Sequence, residues 1–113
     1  MELAELQKKA GRATSLLKAM ANSSRLLILC QLAGGEKSVG ELERLVELSQ
    51  SGLSQHLALL RRKGIVATRR EAQSIFYSLA SPEAKAVIAT LYRMFCAKVP
   101  SKPRKARLRV RIV

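Results

Sequence analysis

The chain contains no tryptophan and no aspartate, it has a single histidine, and aromatic residues make up only 4% of it. So few aromatics leave a core of leucine, alanine, valine and isoleucine, and they argue against an aromatic-lined cavity for a small molecule. They also argue against base stacking, the device a ribosome- or RNA-associated basic protein would use. Only two cysteines are present, Cys30 and Cys96, and neither belongs to a C-x-x-C pair, which excludes a zinc ribbon and a thioredoxin-type site on spacing. In a reducing cytoplasm both are free thiols by default. No apolar run approaches the roughly 20 residues that span a bilayer, and the N-terminal segment is charged and amphipathic, without a signal-peptide core. The sequence reads as soluble and cytoplasmic, with no membrane partner.

What is abundant is positive charge. The formal net charge is +13, from 21 Lys and Arg against eight acids, all of them glutamate. Residues 98–113 hold seven of these basic residues and no acid, so fourteen oppose the eight glutamates of residues 1–97. The body is basic even without its tail. Such a balance favours a polyanionic partner, nucleic acid ahead of an anionic membrane surface. At 113 residues and 48% hydrophobic content, the chain supplies one domain and one core. Residues 1–97 are read as that domain. Residues 98–113 are read as a basic, mobile tail, with a short edge strand as the lesser alternative.

Apolar periodicity predicts a first helix over residues 2–20, with Leu3, Leu6, Ala10, Ala13, Leu17 and Met20 forming a stripe that needs a partner. Asn22 caps a second helix, Ser23 to about Ala33, that is apolar nearly all round, reads as the buried central helix and stops at Gly34-Gly35. Glu36-Lys37 read as a turn. Ser38, with Glu41 three residues on, forms a capping box for a short helix through about Val46, with Leu42 and Leu45 facing inward. Glu47-Leu48 connect it to the next helix. Beyond Gly64, residues 65–70 and 74–79 favour β structure and form a hairpin around Glu71-Ala72-Gln73. Ser81-Pro82-Glu83 start a last helix that runs to about Ala97, with Ala84, Val87, Ile88, Leu91, Met94 and Phe95 on its apolar side.

The segment Ser49–Lys63 organises the rest. Leu53, Leu57 and Leu60 form one apolar stripe, which leaves Ser51, Gln55, Ala58 and Arg62 opposite it, flanked by Ser54 and Arg61. Small or amide side chains near the start and arginines near the end suit a helix that enters a major groove, although an ordinary surface helix has the same amphipathicity. A short helix, a tight turn and such a helix make a helix-turn-helix, and the basic hairpin after it is the wing of a winged helix. The fold class expected is mainly α with a small β-hairpin, in the order α-α-α-α-β-β-α. Ser51, Ser54 and Gln55 are the candidate base readers, and Arg61, Arg62, Arg69 and Arg70 the candidate phosphate contacts. Gln50, His56 and Gln73 complete the candidate DNA-binding set. His56 lies about 60° from the centre of the apolar stripe, where packing or a hydrogen bond is favoured over metal binding.

Over residues 12–97 the sequence resembles the ArsR/SmtB family of bacterial winged-helix repressors. The resemblance is carried by Ala21–Leu29, Ser38–Leu42, Leu48–Arg61, and the wing Val66–Glu71 with Ile75–Leu79. It implies a homodimer built through the first and last helices, binding to an inverted-repeat DNA operator, and release when an inducer is sensed. Two metal-site patterns of the family are missing: the helix before the reading helix has Val39–Glu43 where cysteines would stand, and residues 83–97 hold neither Asp nor His. The cysteine pair instead resembles the persulfide-sensing branch, the BigR-like and SqrR-like repressors. That resemblance implies that Cys30 and Cys96 react with reactive sulfur species and become joined. A direct disulfide needs Cα atoms within about 7 Å, and a wider gap favours a polysulfide bridge. Cysteine is also among the most buried residue types, so packing in a core helix is the competing reading of these positions. A metal-sensing repressor with a non-standard site and a thiol oxidoreductase are the rival functions. The second lacks a C-x-x-C motif, a cofactor loop and an acid in the helix of the histidine, so no catalytic residue and no cofactor is assigned. Ala72 stands where relatives usually carry a wing glycine, which puts the turn geometry in question.

Overall fold

A computed structural model describes residues 1–96, so the basic tail assigned to 98–113 lies outside the described residues. Five helices and three strands follow in the order α1 (Leu3–Met20), α2 (Ser23–Ala33), β1 (Lys37–Ser38), α3 (Val39–Val46), α4 (Gln50–Arg62), β2 (Val66–Glu71), β3 (Ser74–Leu79) and α5 (Pro82–Phe95). The mainly helical, winged helix-turn-helix expectation holds. Four of the helices begin at the residues the sequence nominated, because each cap oxygen takes an orphan amide of the first turn. Asn22 accepts from Arg25 N–H, Ser49 from Gly52 N–H and Ser81 from Ala84 N–H. Ser38 and Glu41 close the capping box on α3 from both sides.

The sheet corrects one expectation. Lys37, read as part of a turn, forms with Ser38 a third strand that pairs antiparallel with β3, Lys37 opposite Tyr77 and Ser38 opposite Phe76. The strand order is β1-β3-β2. An N-cap residue has extended backbone, φ −78 and ψ 163 at Ser38, so the residue that starts α3 can also end a strand. The wing itself runs one residue further than expected, with Glu71 paired to Ser74 around a two-residue Ala72-Gln73 turn.

Ile28, Leu29 and Leu32 of α2 lie at the centre of the core, with Leu42 and Val46 of α3, Leu53, Leu57 and Leu60 of α4, Ile65 and Val66, and Ala84 and Ile88 of α5. Three placements differ from the periodicity. Leu45 faces outward and Val46 fills the position, and Leu27 on α2 is exposed. α5 ends at Phe95 with Cys96 as its cap, and Met94 and Phe95 stand in solvent on a single chain. α1 buries only Ala19 and Met20, so Leu3, Leu6 and Leu17 of its stripe stay exposed among the described residues. No described helix is long and apolar enough to cross a membrane.

Candidate nucleic-acid interface and thiol pair

α4 is fixed from below by Leu53, Leu57 and Leu60, all fully or nearly fully buried, so its opposite side must face out. Gln50, Ser51, Ser54, Gln55, Arg61 and Arg62 share that exposed side. The capping oxygen of Ser49 lies 3.0 Å from the Gly52 amide and 3.4 Å from the Ser51 hydroxyl. A Cβ at position 52 would come within 3.1 Å of that oxygen, which accounts for glycine in the first turn of the helix. A cleft of about 490 Å³ runs between α4 and the sheet, lined by Val39, Ser54, Ala58, Arg61, Arg62 and Tyr77. Arg70 and Gln73 are exposed on the wing.

Two candidates are placed differently. His56 is half-buried and turned toward α2, its Nδ1 3.4 Å from an Arg25 guanidinium nitrogen. That is the hydrogen-bonded environment its angle on the helix suggested. The same guanidinium donates through Nε to the Ala19 carbonyl and through Nη2 to that of Lys18. Arg25 therefore ties the end of α1 and the middle of α4 to the start of α2, a role the sequence did not announce. Arg69 is engaged through all three nitrogens: Nε and Nη2 donate to the two Glu36 carboxylate oxygens at 2.7 and 2.8 Å, and Nη1 donates to Glu71 at 2.8 Å. Its guanidinium carbon lies 4.7 Å over the Phe76 ring. The hydrogen bonds from Arg69 hold the Glu36 carboxyl below its usual range, and those from Glu36 and Glu71 push the arginine further up. Glu36 lies 33 residues away in sequence, and no local motif signals the pair.

The thiols lie on α2 and at the end of α5. Both are free, Cys30 half-buried on α2 and Cys96 exposed as the C-cap of α5. Cys30 opens on a cleft of about 680 Å³ whose walls include Leu32, Glu36, Leu79, Lys85 and Tyr92. Burial pushes the Cys30 thiol up, and a charge on Cys96 pushes it in the same direction. Among the described residues no three His, Cys, Asp or Glu side chains gather into a group fit for a metal ion.

Residues 22–68 match the family described as bacterial regulatory protein, arsR family. The transcriptional activator HlyU of Vibrio cholerae is 58% identical over 85% of this chain and 89% of its own length. Its structure in the reduced form superposes with a TM-score of 0.81, covering 84% of this chain and all of that one. The biofilm growth-associated repressor of Agrobacterium fabrum is 50% identical over 84% of this chain and 81% of its own. The crystal structure of the transcriptional repressor BigR from Xylella fastidiosa, 42% identical, covers 87% of this chain and 100% of its own with a TM-score of 0.77. These relatives are transcriptional regulators rather than enzymes. The chain belongs to the arsR family of bacterial regulatory proteins.

Proposed function

We propose that the protein is a dimeric, DNA-binding transcriptional repressor whose hold on an inverted-repeat operator is released when Cys30 and Cys96 are bridged by reactive sulfur species or oxidants. The observation that carries this reading is the placement of a half-buried thiol on α2, opening on a cleft walled by α5, and an exposed thiol at the end of that same helix. The dimer would use α1 and α5, on which Leu3, Leu6, Leu17, Tyr92, Met94 and Phe95 lack cover. Two α4 helices would then address successive major grooves about 34 Å apart. Gln50, Ser51, Ser54 and Gln55 reach base edges, while Arg61, Arg62 and Arg70 meet phosphates.

Exposure and charge set the order of the chemistry. Cys96 is open to solvent, whereas Cys30 holds its proton more tightly, so Cys96 is the first nucleophile. Its thiolate attacks a sulfur of an inorganic polysulfide, an S–S bond breaks, and the shorter polysulfide leaves with the electron pair. Cys30 then loses its proton to solvent and attacks Cys96 Sγ, expelling hydrosulfide and forming a disulfide. With a longer chain on Cys96 and attack one sulfur further out, a sulfur stays in the bridge. Either bridge ties α2, the core helix beneath the helix-turn-helix, to α5 at the proposed dimer seam. The relative named an activator favours a second outcome at some promoters, in which bound protein promotes transcription. Thiol control of DNA binding is common to both.

The test is operator binding by fluorescence anisotropy before and after inorganic tetrasulfide, with mass spectrometry of the same samples. Wild type should gain a bridge and lose affinity, and Cys30→Ser should stay bound. Release of Cys30→Ser to the wild-type extent would defeat the dithiol reading. Release by stoichiometric zinc or cadmium would revive the metal-sensing one.

A further inference from the structure

We infer that Arg69 is a positioning residue for the wing rather than a phosphate contact, and that Glu36 makes the position of the wing answer to the cleft around Cys30. The second half rests on the thiol reading above. Three observations support it. First, all three guanidinium nitrogens of Arg69 already have carboxylate partners at 2.7 to 2.8 Å, and its face lies over Phe76. A phosphate would have to displace Glu36 to take the Nε/Nη2 edge of the guanidinium in the bidentate way that favours arginine. Second, Glu36 sits on the loop from α2 into β1, next to the Lys37 that pairs with β3, so the ion pair joins the two outer strands of the sheet across the central one. The hairpin is thereby held to the helical body by a side-chain clamp as well as by its own backbone. Third, Glu36 also lines the cleft on which Cys30 opens, together with Gly34, Gly35 and Lys85. A bridge that ties Cys30 to the end of α5 loads that wall, and Glu36 carries the load to Arg69. Arg70, the neighbouring residue on the opposite face of β2, is exposed and has no carboxylate partner among the described residues.

The two roles predict opposite signs for one substitution. Removing the Glu36 charge would free a phosphate-binding Arg69 and tighten DNA binding, whereas it unclamps a wing that Arg69 merely holds. The experiment measures anisotropy of full-length protein on operator and on random duplex across a salt series, for Arg69→Gln, Glu36→Gln, the double variant and Arg70→Gln. As positioning residues, Arg69→Gln and Glu36→Gln each weaken operator binding about three- to tenfold, the double variant does no worse than the weaker single, and the slope of log K against log salt is unchanged. Arg70→Gln lowers that slope by about 0.9 per lost phosphate contact. Tighter binding by Glu36→Gln, or a slope for Arg69→Gln that falls as it does for Arg70→Gln, overturns the assignment. In a second arm, tetrasulfide is added: Glu36→Gln should acquire the same mass shift as wild type while losing most of the release. Full release from Glu36→Gln would sink the coupling and leave the thiol reading intact. Wild type that is bridged but not released would sink the thiol reading and the coupling together, with the wing role of Arg69 still decided by the salt arm.

Discussion

Ala72 and Glu47 have φ of 57 and 53, in the left-handed region where a side chain other than that of asparagine or aspartate crowds its own backbone. At Ala72 the two-residue wing turn requires it, and glycine is the residue that meets the requirement without strain. Ala72→Gly should therefore raise stability by about 1 kcal/mol despite its entropic cost, read as a higher urea midpoint at unchanged m-value. A lower midpoint would mean that the turn relaxes by another route. Cys30 offers a second test at this scale. Its raised pKa leaves little thiolate at neutral pH, so iodoacetamide should label Cys96 well ahead of Cys30. The Cys30 rate should keep climbing as pH passes the ordinary thiol range; equal rates at neutral pH would contradict the assigned order. The same shift has a stability sign. Folding holds the Cys30 proton more tightly than the unfolded chain does, so this contribution is present at neutral pH and is lost as pH rises through the raised value.

Among elements, the helices were legible wherever a capping side chain and an apolar stripe coincide, as they do for Ser49 with Leu53, Leu57 and Leu60. Where one signal was missing, the sequence misled. The strand Lys37–Ser38 is too short to show a period, and on α3 the choice between Leu45 and Val46 turns on a fraction of a helical turn. The clamp from Glu36 to Arg69 and the hub at Arg25 depend on which distant residues meet, which local pattern does not encode. These contacts yield predictions of their own. Ser38→Ala should destabilise by about 1 kcal/mol through loss of the α3 cap. Arg25→Met should cost about 2 kcal/mol, since its charged donors close the carbonyl end of α1. His56→Leu should cost less than Arg25→Met, because the bond it removes is long at 3.4 Å. Thermal melts of the three variants check the ranking, and a His56→Leu loss equal to that of Arg25→Met would place the strain in the α2–α4 contact instead.

For the whole molecule, the uncovered apolar side chains dominate. Leu3 is 68% exposed and Phe95 80%, at the two helices that begin and end the described chain. So much exposed apolar surface on both helices is what the proposed dimer would cover. Leu17→Glu on the α1 stripe should shift sedimentation toward the monomer and weaken operator binding at least tenfold, since each half-site alone holds only one α4. An undisturbed dimer would move the seam away from α1. Charge works at the same scale: fourteen basic residues against eight acids in residues 1–97 leave the body attractive to phosphate over a broad surface.

Cys96 is the C-cap of α5, its N–H bonded to the Tyr92 carbonyl at 2.8 Å. Helix ends open locally at a free-energy cost far below that of global unfolding. The thiol proposed as the sensor thus sits at a helix end: breathing of that hydrogen bond, about 1 kcal/mol net, is enough to swing it through a range of positions while the core around Ile28 and Ile88 stays shut. Hydrogen exchange at the Cys96 amide should accordingly run close to the unprotected rate in the reduced protein and slow once the sulfur is tethered, so that an oxidised sample reports its own state through the protection of a single amide.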